Sequence, residues 1–384
     1  MKILIIGGTY FLGKAFLEVC DKAGNEITVL NRGNREVPGN EDGHIRVIHA
    51  NRQNAEELAR IVAKFDPEGY DYVVDFCAYE CGDIRKVLEA LETSRSATRD
   101  SVEALETSRS ATRDSVEALE TSRNATRDSV ETLETSRSAT VGGVKVSSVQ
   151  RKVEAGKRDH GVRQYVYIST CDVYRRGTGA LLGEDSPLEE RDFGGPEGAY
   201  ICGKVALEKE LRQCAEVSNN GEGDRMHYTS VRPAFIYGPE NYAPRESVFF
   251  QWVSKAGQIL FPEDADGTFQ MIYVKDLARC IYACLGNEDF YDCAVNACGE
   301  KMDYQLFADA IEEATGQKIE KVMISVADVL NRKIPLPFPL SKAESETYDG
   351  GKMKKLGVEE TPFVYGLRET YAWFTKHKAE GVRT

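Results

Sequence analysis

Short apolar runs alternate with helix-period segments over the first eighty residues. Lys2 to Ile6 is an apolar run that ends in glycine, and Glu26 to Leu30, Ile45 to His49 and Tyr72 to Phe76 are three more. Between them, Phe11 to Ala23 and Ala55 to Lys64 carry apolar residues at helical spacing. Apolar runs bounded by turns and separated by helices predict a parallel sheet covered on both faces, an α/β doubly wound arrangement. A further strand over Gln164 to Ser169 comes much later than this rhythm expects. A helix near Gly198 to Glu216, a strand near Tyr228 to Arg232 and a mixed C-terminal region follow. The last helix is expected over Gly366 to Lys376, with Leu367, Tyr371 and Phe374 on one face. Phe193 to Gly198 and Ile334 to Pro339 are the Gly- or Pro-rich breaks.

The delay before Gln164 is an internal repeat. Leu91 to Ala104 reads LETSRSATRDSVEA, Leu105 to Ala118 repeats it unchanged, and Leu119 to Thr132 differs only at Asn124 and Thr132. The period is two heptads, but Arg109 and Thr112 fall where Val102 and Leu105 stood one heptad earlier, so the apolar seam is half as dense as a coiled coil needs. Absence of Gly and Pro from 91 to 140 still favours helix. A straight helix over that span would be about 75 Å long, more than the roughly 66–72 Å that residues 141–160 can retrace. The segment must therefore break and fold back or be partly disordered. It is either a tandem duplication without biochemical role or a docking or oligomerisation arm.

Composition narrows the class. The chain has 384 residues and a formal charge of −13, which argues against nucleic-acid binding through bulk electrostatics. No apolar run reaches the roughly 18 residues of a membrane span, and the first residues lack a signal-peptide pattern, so a cytoplasmic protein is expected. Ten cysteines without a secretory context read as reduced, packed side chains. Their CxxxC spacings and the scattered histidines give no metal site.

Gly7-Gly8-Thr9-Tyr10-Phe11-Leu12-Gly13 lies directly after the first strand and directly before a helix. That is the context of a dinucleotide fingerprint. Gly7 permits the tight turn, Gly13 lets helix and strand pack closely, and the helix start offers N–H groups to a pyrophosphate. Tyr10 occupies the place of the usual middle glycine and either crowds the pyrophosphate or lies beside it. At the end of the second strand, Asn31 and Arg32 stand where a ribose-binding acid is expected. Arg32 pairs with a 2′-phosphate or is a solvated loop residue, so the cofactor is NAD or NADP with a lean to NADP. Asn51, after the third strand, is placed to hydrogen-bond an adenine edge.

Tyr200 and Lys204 form a YxxxK element on one helical face. A phenol is a poor base at neutral pH, and a neighbouring ammonium is expected to lower its pKa. About thirty residues upstream, Ile168-Ser169-Thr170-Cys171-Asp172-Val173-Tyr174 ends a buried strand, where Thr170 would present a hydroxyl at the ligand-binding edge of the sheet. Asp172 either joins that chemistry or caps a turn. Arg245 is a candidate for binding a diphosphate, and Asp276 for capping a helix.

The glycine loop, the strand end with its DVY, YxxxK, Val231-Arg232-Pro233-Ala234-Phe235-Ile236-Tyr237-Gly238-Pro239, and Tyr273-Val274-Lys275-Asp276-Leu277-Ala278 occur in that order. Together they resemble the extended short-chain dehydrogenase/reductase superfamily, specifically the NAD-dependent epimerase/dehydratase family, over nearly the whole chain except 91–160. The resemblance implies a Rossmann domain over 1–235, interrupted by that insertion. It implies a smaller, mainly substrate-binding α/β region over 236–384, with some segments returning to the first domain. It implies Thr170, Tyr200 and Lys204 as the catalytic set. Gly7, Thr9, Tyr10, Phe11, Leu12 and Gly13 would hold the cofactor, and Pro233, Phe235 and Ala78 would lie by its nicotinamide. The implied substrate is a nucleotide sugar and the implied assembly a possible homodimer.

Sugar dehydratases of that family place an Asp-Glu pair after this threonine, and Cys171-Asp172 stands there instead, which disfavours water elimination. A sugar-nucleotide epimerase is therefore expected, with a carbonyl reductase as the alternative. A non-catalytic, nucleic-acid-associated relative is the other alternative, because some members with a substituted middle glycine are linked to RNA.

Overall fold

The computed structural model describes residues 1–65, 69–94, 96, 161–175, 180–218, 225–345 and 347–379. The 14-residue repeat lies almost wholly outside them, and so do the expectations about its form. The order begins β1 (Lys2–Ile6), α1 (Leu12–Lys22), β2 (Glu26–Asn31), β3 (Arg46–His49), α2 (Ala55–Phe65), β4 (Tyr72–Asp75) and α3 (83–94). β5 (Gln164–Ile168), α4 (Gly195–Ser218), β6 (His227–Pro233) and β7 (Phe235–Tyr237) follow. Then come α5 (Glu246–Ala256), β8 (Gln258–Pro262), β9 (Phe269–Tyr273), α6 (Val274–Cys284), β10 (Cys293–Ala297), β11 (Lys301–Met302), α7 (Tyr304–Thr315) and β12 (Glu320–Ile324). α8 (Val326–Asn331), α9 (Gly351–Lys355) and α10 (Phe363–Ala379) complete the chain.

Seven strands form one parallel sheet in the order β10-β6-β5-β4-β1-β2-β3. β4 stops one residue earlier than its apolar run, because the Asp75 carboxylate accepts the Cys77 N–H at 2.8 Å and turns the chain. One face of the sheet buries Leu4, Val73, Tyr165 and Tyr167 with Leu58, Ile84, Leu207 and Leu211 of α2, α3 and α4. The other buries Ile3, Val74, Val166 and Val231 with Phe16 of α1 and Ile281 of α6. That second cluster continues without a break into the C-terminal region, where Phe269 stacks on Phe338 at 4.0 Å between ring centres. A three-stranded sheet, β11-β9-β7, and a parallel pair, β12-β8, build that region, while β10 joins the main sheet beside β6.

α6 starts at Val274, with Tyr273 rather than Asp276 at its cap position. Asp276 sits buried in its first turn, where its carboxylate accepts the Thr361 N–H at 2.6 Å and the Thr361 hydroxyl at 2.7 Å. It therefore ties α6 to the approach of α10 instead of capping its own helix. No helix among the described residues is long and apolar enough to cross a membrane.

Candidate active site

β1 ends at Ile6 and the chain turns at once into α1. Gly7 has φ +94°, and a Cβ on it would stand 2.5 Å from Cys77 Sγ; a Cβ on Gly13 would stand 2.5 Å from the Gly8 Cα. Two glycines thus allow the loop to fold back on itself and on β4. Gly8, which the sequence reading gave no role, is the surface that Gly13 packs on. Phe11 precedes α1 without a side-chain cap, so the start of the helix keeps N–H groups for an anion.

This loop, the ends of β5 and β6 and the start of α4 enclose a cleft of about 460 Å³. Of the residues singled out in the sequence, Gly7, Thr9, Tyr10, Phe11, Leu12, Gly13, Thr170, Tyr200, Lys204, Pro233, Phe235 and Arg245 line it. Tyr10 keeps 37% of its surface exposed, with the Arg35 guanidinium 4.1 Å from its ring centre.

Four expected residues stand outside the lining. Asn31 is held by its neighbours: its Oδ1 accepts the Gly33 N–H and meets His49 Nδ1, both at 2.8 Å. Arg32 is exposed in the loop after β2. Asn51 is exposed and its Oδ1 accepts the Gln53 N–H at 3.1 Å, an Asx turn that engages it locally. Ala78 is fully buried and contributes only its carbonyl, 3.4 Å from Lys204 Nζ.

Lys204 is buried, and its ammonium also donates to the Ile168 carbonyl at 2.9 Å. The ring centres of Tyr167, Tyr79 and Tyr200 lie 4.8, 5.0 and 5.8 Å from it. Desolvation pulls its pKa down to about 8, with Asp75, Cys77 and Glu208 opposing that shift. Tyr200 departs from expectation. Its phenol is held above the ordinary tyrosine value, first by desolvation and then by Asp172, Tyr79 and Tyr242, with Arg245 acting the other way. Burial also pushes Tyr79 up to about 12.

The Thr170 hydroxyl donates to Asp172 Oδ2 at 3.1 Å and accepts the Asp172 N–H at 3.2 Å. Thr170 is therefore the cap of the short turn 171–173, the role weighed for Asp172. Cys171 is buried, with its thiol directed at the Arg232 carbonyl at 3.0 Å.

Behind the cleft the motif residues bind one another. Glu208, one helical turn beyond Lys204, accepts Arg232 Nε at 2.9 Å; Arg232 Nη1 donates to Tyr174 Oη at 2.8 Å, and Tyr174 Oη donates to Asn296 Oδ1 at 2.6 Å. This buried chain fixes α4 to β6 and β10. On the other side Arg52 grips Asp75 with two bonds of 2.9 Å, and Tyr165 Oη donates to the same carboxylate at 2.6 Å. Glu208, Asp75, Arg52, Tyr79 and Tyr242 were not foreseen; only Glu208 left a signal, as the next i+4 step after Tyr200 and Lys204.

The sheet order, the glycine turn at the first strand–helix junction and the cleft beyond the strand ends define a Rossmann-like, NAD(P)-binding fold. The chain belongs to the NAD dependent epimerase/dehydratase family, whose profile it matches over residues 3–297.

Solved structures with the same fold include the UDP-glucose 4-epimerase of Thermotoga maritima with UDP-glucose, at 16% identity and TM-score 0.62 over 98% of this chain and 100% of that one. The UDP-glucose 4-epimerase of Thermus thermophilus in complex with NAD matches at 17% identity and TM-score 0.60, over 98% and 99% of the two chains. A curated relative, the chloroplast stem-loop binding protein of 41 kDa b of Arabidopsis thaliana, is 24% identical over 325 residues, 82% of this chain and 63% of that protein. The chain thus spans less than two thirds of the length of that relative.

Proposed function

We propose that this protein is an NAD(P)-dependent sugar-nucleotide epimerase that oxidises a sugar carbinol and reduces it again from the other face. The observation that carries this proposal is that Thr170, Tyr200 and Lys204 line the same cleft as the glycine loop. The cradle suits a dinucleotide: two positions have no room for a Cβ and the adjoining helix start has no side-chain cap. Gly7 to Gly13 would hold the pyrophosphate, and Pro233 and Phe235 would border the nicotinamide. When bound, the cofactor would supply reversible oxidation and reduction at one carbon.

The chain's own residues handle the oxygen and its proton. Thr170 holds its hydroxyl at the cleft with its proton on Asp172, and that proton turns to the sugar oxygen when substrate binds. Tyr200 exchanges the proton: as phenolate it takes the hydroxyl proton when the carbinol is oxidised, and it returns that proton on reduction. In the cofactor-free cleft its raised pKa keeps it protonated, so oxidation requires the bound dinucleotide and the Lys204 ammonium to stabilise the phenolate. Lys204 sits below the phenol and fixes the helix against β5. The inward-turned Cys171 thiol gives no acid for elimination, which supports epimerisation over dehydration. Arg245 is proposed to meet the substrate's diphosphate from the cleft wall, where its guanidinium lies 4.8 Å over the Phe235 ring. In this proposal residues 236–384 mainly hold the nucleotide sugar, and Arg32 leans the cofactor toward NADP.

Mass spectrometry of small molecules that co-purify, followed by a nucleotide-sugar panel with NAD and NADP, tests the proposal. Epimerised product with no net consumption of cofactor is expected. Consumption of NADPH with a reduced product would move the assignment to the reductase alternative. A second proposal, binding of a nucleic-acid stem-loop, is favoured by the name of the Arabidopsis relative and by Tyr10 at the middle-glycine place. The charge of −13 opposes it, and a gel-shift titration with a labelled RNA hairpin decides it.

A further inference from the structure

Residues 238–245 lie across the cleft and touch the glycine loop from the far side. The base of this segment is built firmly. Gly238 has φ +144°, and a Cβ on it would stand 2.5 Å from Val274 Cγ1. Glu246 is buried and accepts Asn241 Nδ2 on both oxygens at 3.0 Å. Asn241 Nδ2 also donates to the Ile236 carbonyl at 3.2 Å, and its Oδ1 accepts the Ala243 N–H at 3.0 Å.

The side chains on either side of Asn241 are held differently. Glu240 adopts φ +69°, an unfavourable backbone for a side-chain-bearing residue, and its carboxylate pairs with Lys14 in the first turn of α1. Tyr242 leaves 73% of its surface exposed, with its ring centre 6.0 Å from those of both Tyr10 and Phe11. Tyr242 is also among the groups that raise the pKa of Tyr200 and Tyr79, so it bridges the phosphate loop and the acid–base end of the cleft. Partly exposed ion pairs and exposed ring contacts are individually weak. Weakly fastened side chains on a backbone fixed by Asn241 are the properties of a side-chain strap that opens and returns.

We propose that the side chains of Tyr242, Glu240 and Lys14 form a cofactor strap over the glycine loop: they swing aside on a backbone that Asn241 holds fixed, to admit or release the dinucleotide. The strap rests on the dinucleotide function proposed above. It predicts slow exchange of the cofactor, which a reaction that returns the cofactor to its starting state tolerates.

Stopped-flow fluorescence with NADH, and NADPH in parallel, tests it on the full chain. A gate slows entry and exit together, whereas an ordinary contact acts mainly on exit. Tyr242→Ala and Glu240→Gln should each speed both association and dissociation by about tenfold or more, while Kd changes far less than either rate. Tyr242→Phe should stay near the wild-type rates. Unchanged rates overturn the strap, and so does faster dissociation with association unaltered, which would make Tyr242 a plain contact. A wild-type chain that binds neither dinucleotide overturns the function proposed above and the strap with it, a result distinct from the other two.

Discussion

The Lys204 ammonium is held by the Ile168 carbonyl at 2.9 Å, so the end of β5 that precedes Thr170 and the helix that carries Tyr200 share one buried charge. No carboxylate hydrogen-bonds that ammonium among the described residues; carbonyls and tyrosine rings surround it. A buried cation so placed serves the site at the expense of the fold.

Lys204→Met is therefore predicted to abolish turnover and to raise the thermal midpoint of the cofactor-free protein at pH 7. Desolvation lowers the pKa of the lysine from 10.5 to about 8 in the folded chain. A depressed folded value means stability that is present above the unfolded pKa and lost as pH falls through about 8. The variant should gain up to about 3 kcal/mol below pH 8, less the lost hydrogen bonds, and the gain should vanish toward pH 10.5. Thermal melts across that range check it; a variant that melts lower at pH 7 would refute it.

Glu246 titrates in the opposite sense. Burial raises its pKa from 4.5 to about 7, against the hydrogen bonds of Asn241 and Gly238. The folded state then holds the extra proton, so stability is fully present below pH 4.5 and lost as pH rises through about 7. Relative to Glu246→Gln, the wild type should lose about 3 kcal/mol between pH 4.5 and 7 and change little above that. Urea unfolding at three pH values measures it, and a constant difference would exclude the titration.

The Glu208–Arg232 pair should behave as a buried ion pair. Glu208→Gln strands the guanidinium and is expected to cost roughly 3–5 kcal/mol, whereas Glu208→Leu with Arg232→Met should recover most of that loss. Equilibrium unfolding of the three proteins checks it. A single variant as stable as the wild type would show that the pair does not carry the α4–β6 contact.

The attachment points of the repeat predict its independence from the cleft. α3 runs away from the end of β4, and β5 begins at Gln164, at the N-terminal end of the parallel strands, opposite the glycine loop. Replacing 97–159 by a short Gly-Ser linker should leave NADH affinity unchanged. Loss of binding by a folded, soluble variant would contradict this placement.

Much of the main sheet was legible because each of its early strands is a local apolar run and most of the turns between them carry a glycine. The YxxxK spacing likewise put Tyr200 and Lys204 on one face without further information. The environment of Tyr200 was not legible. Spacing revealed only its lysine neighbour, while the groups that raise its pKa, Asp172, Tyr79 and Tyr242, come from three other segments that only the folded sheet brings near. The same holds for Arg52 on Asp75 and for Asp276 on Thr361, whose partners are 23 and 85 residues distant. Asn51 lies outside the cleft lining for a local reason: its side chain closes an Asx turn.

The proposed convergence of Thr170, Tyr200 and Lys204 on a bound dinucleotide is tested most directly by Tyr200→Phe. With the nucleotide sugar that the panel identifies, its epimerisation rate at neutral pH should fall by roughly 10²–10⁴-fold while NADH affinity stays at the wild-type value. Full wild-type turnover by that variant would contradict the account.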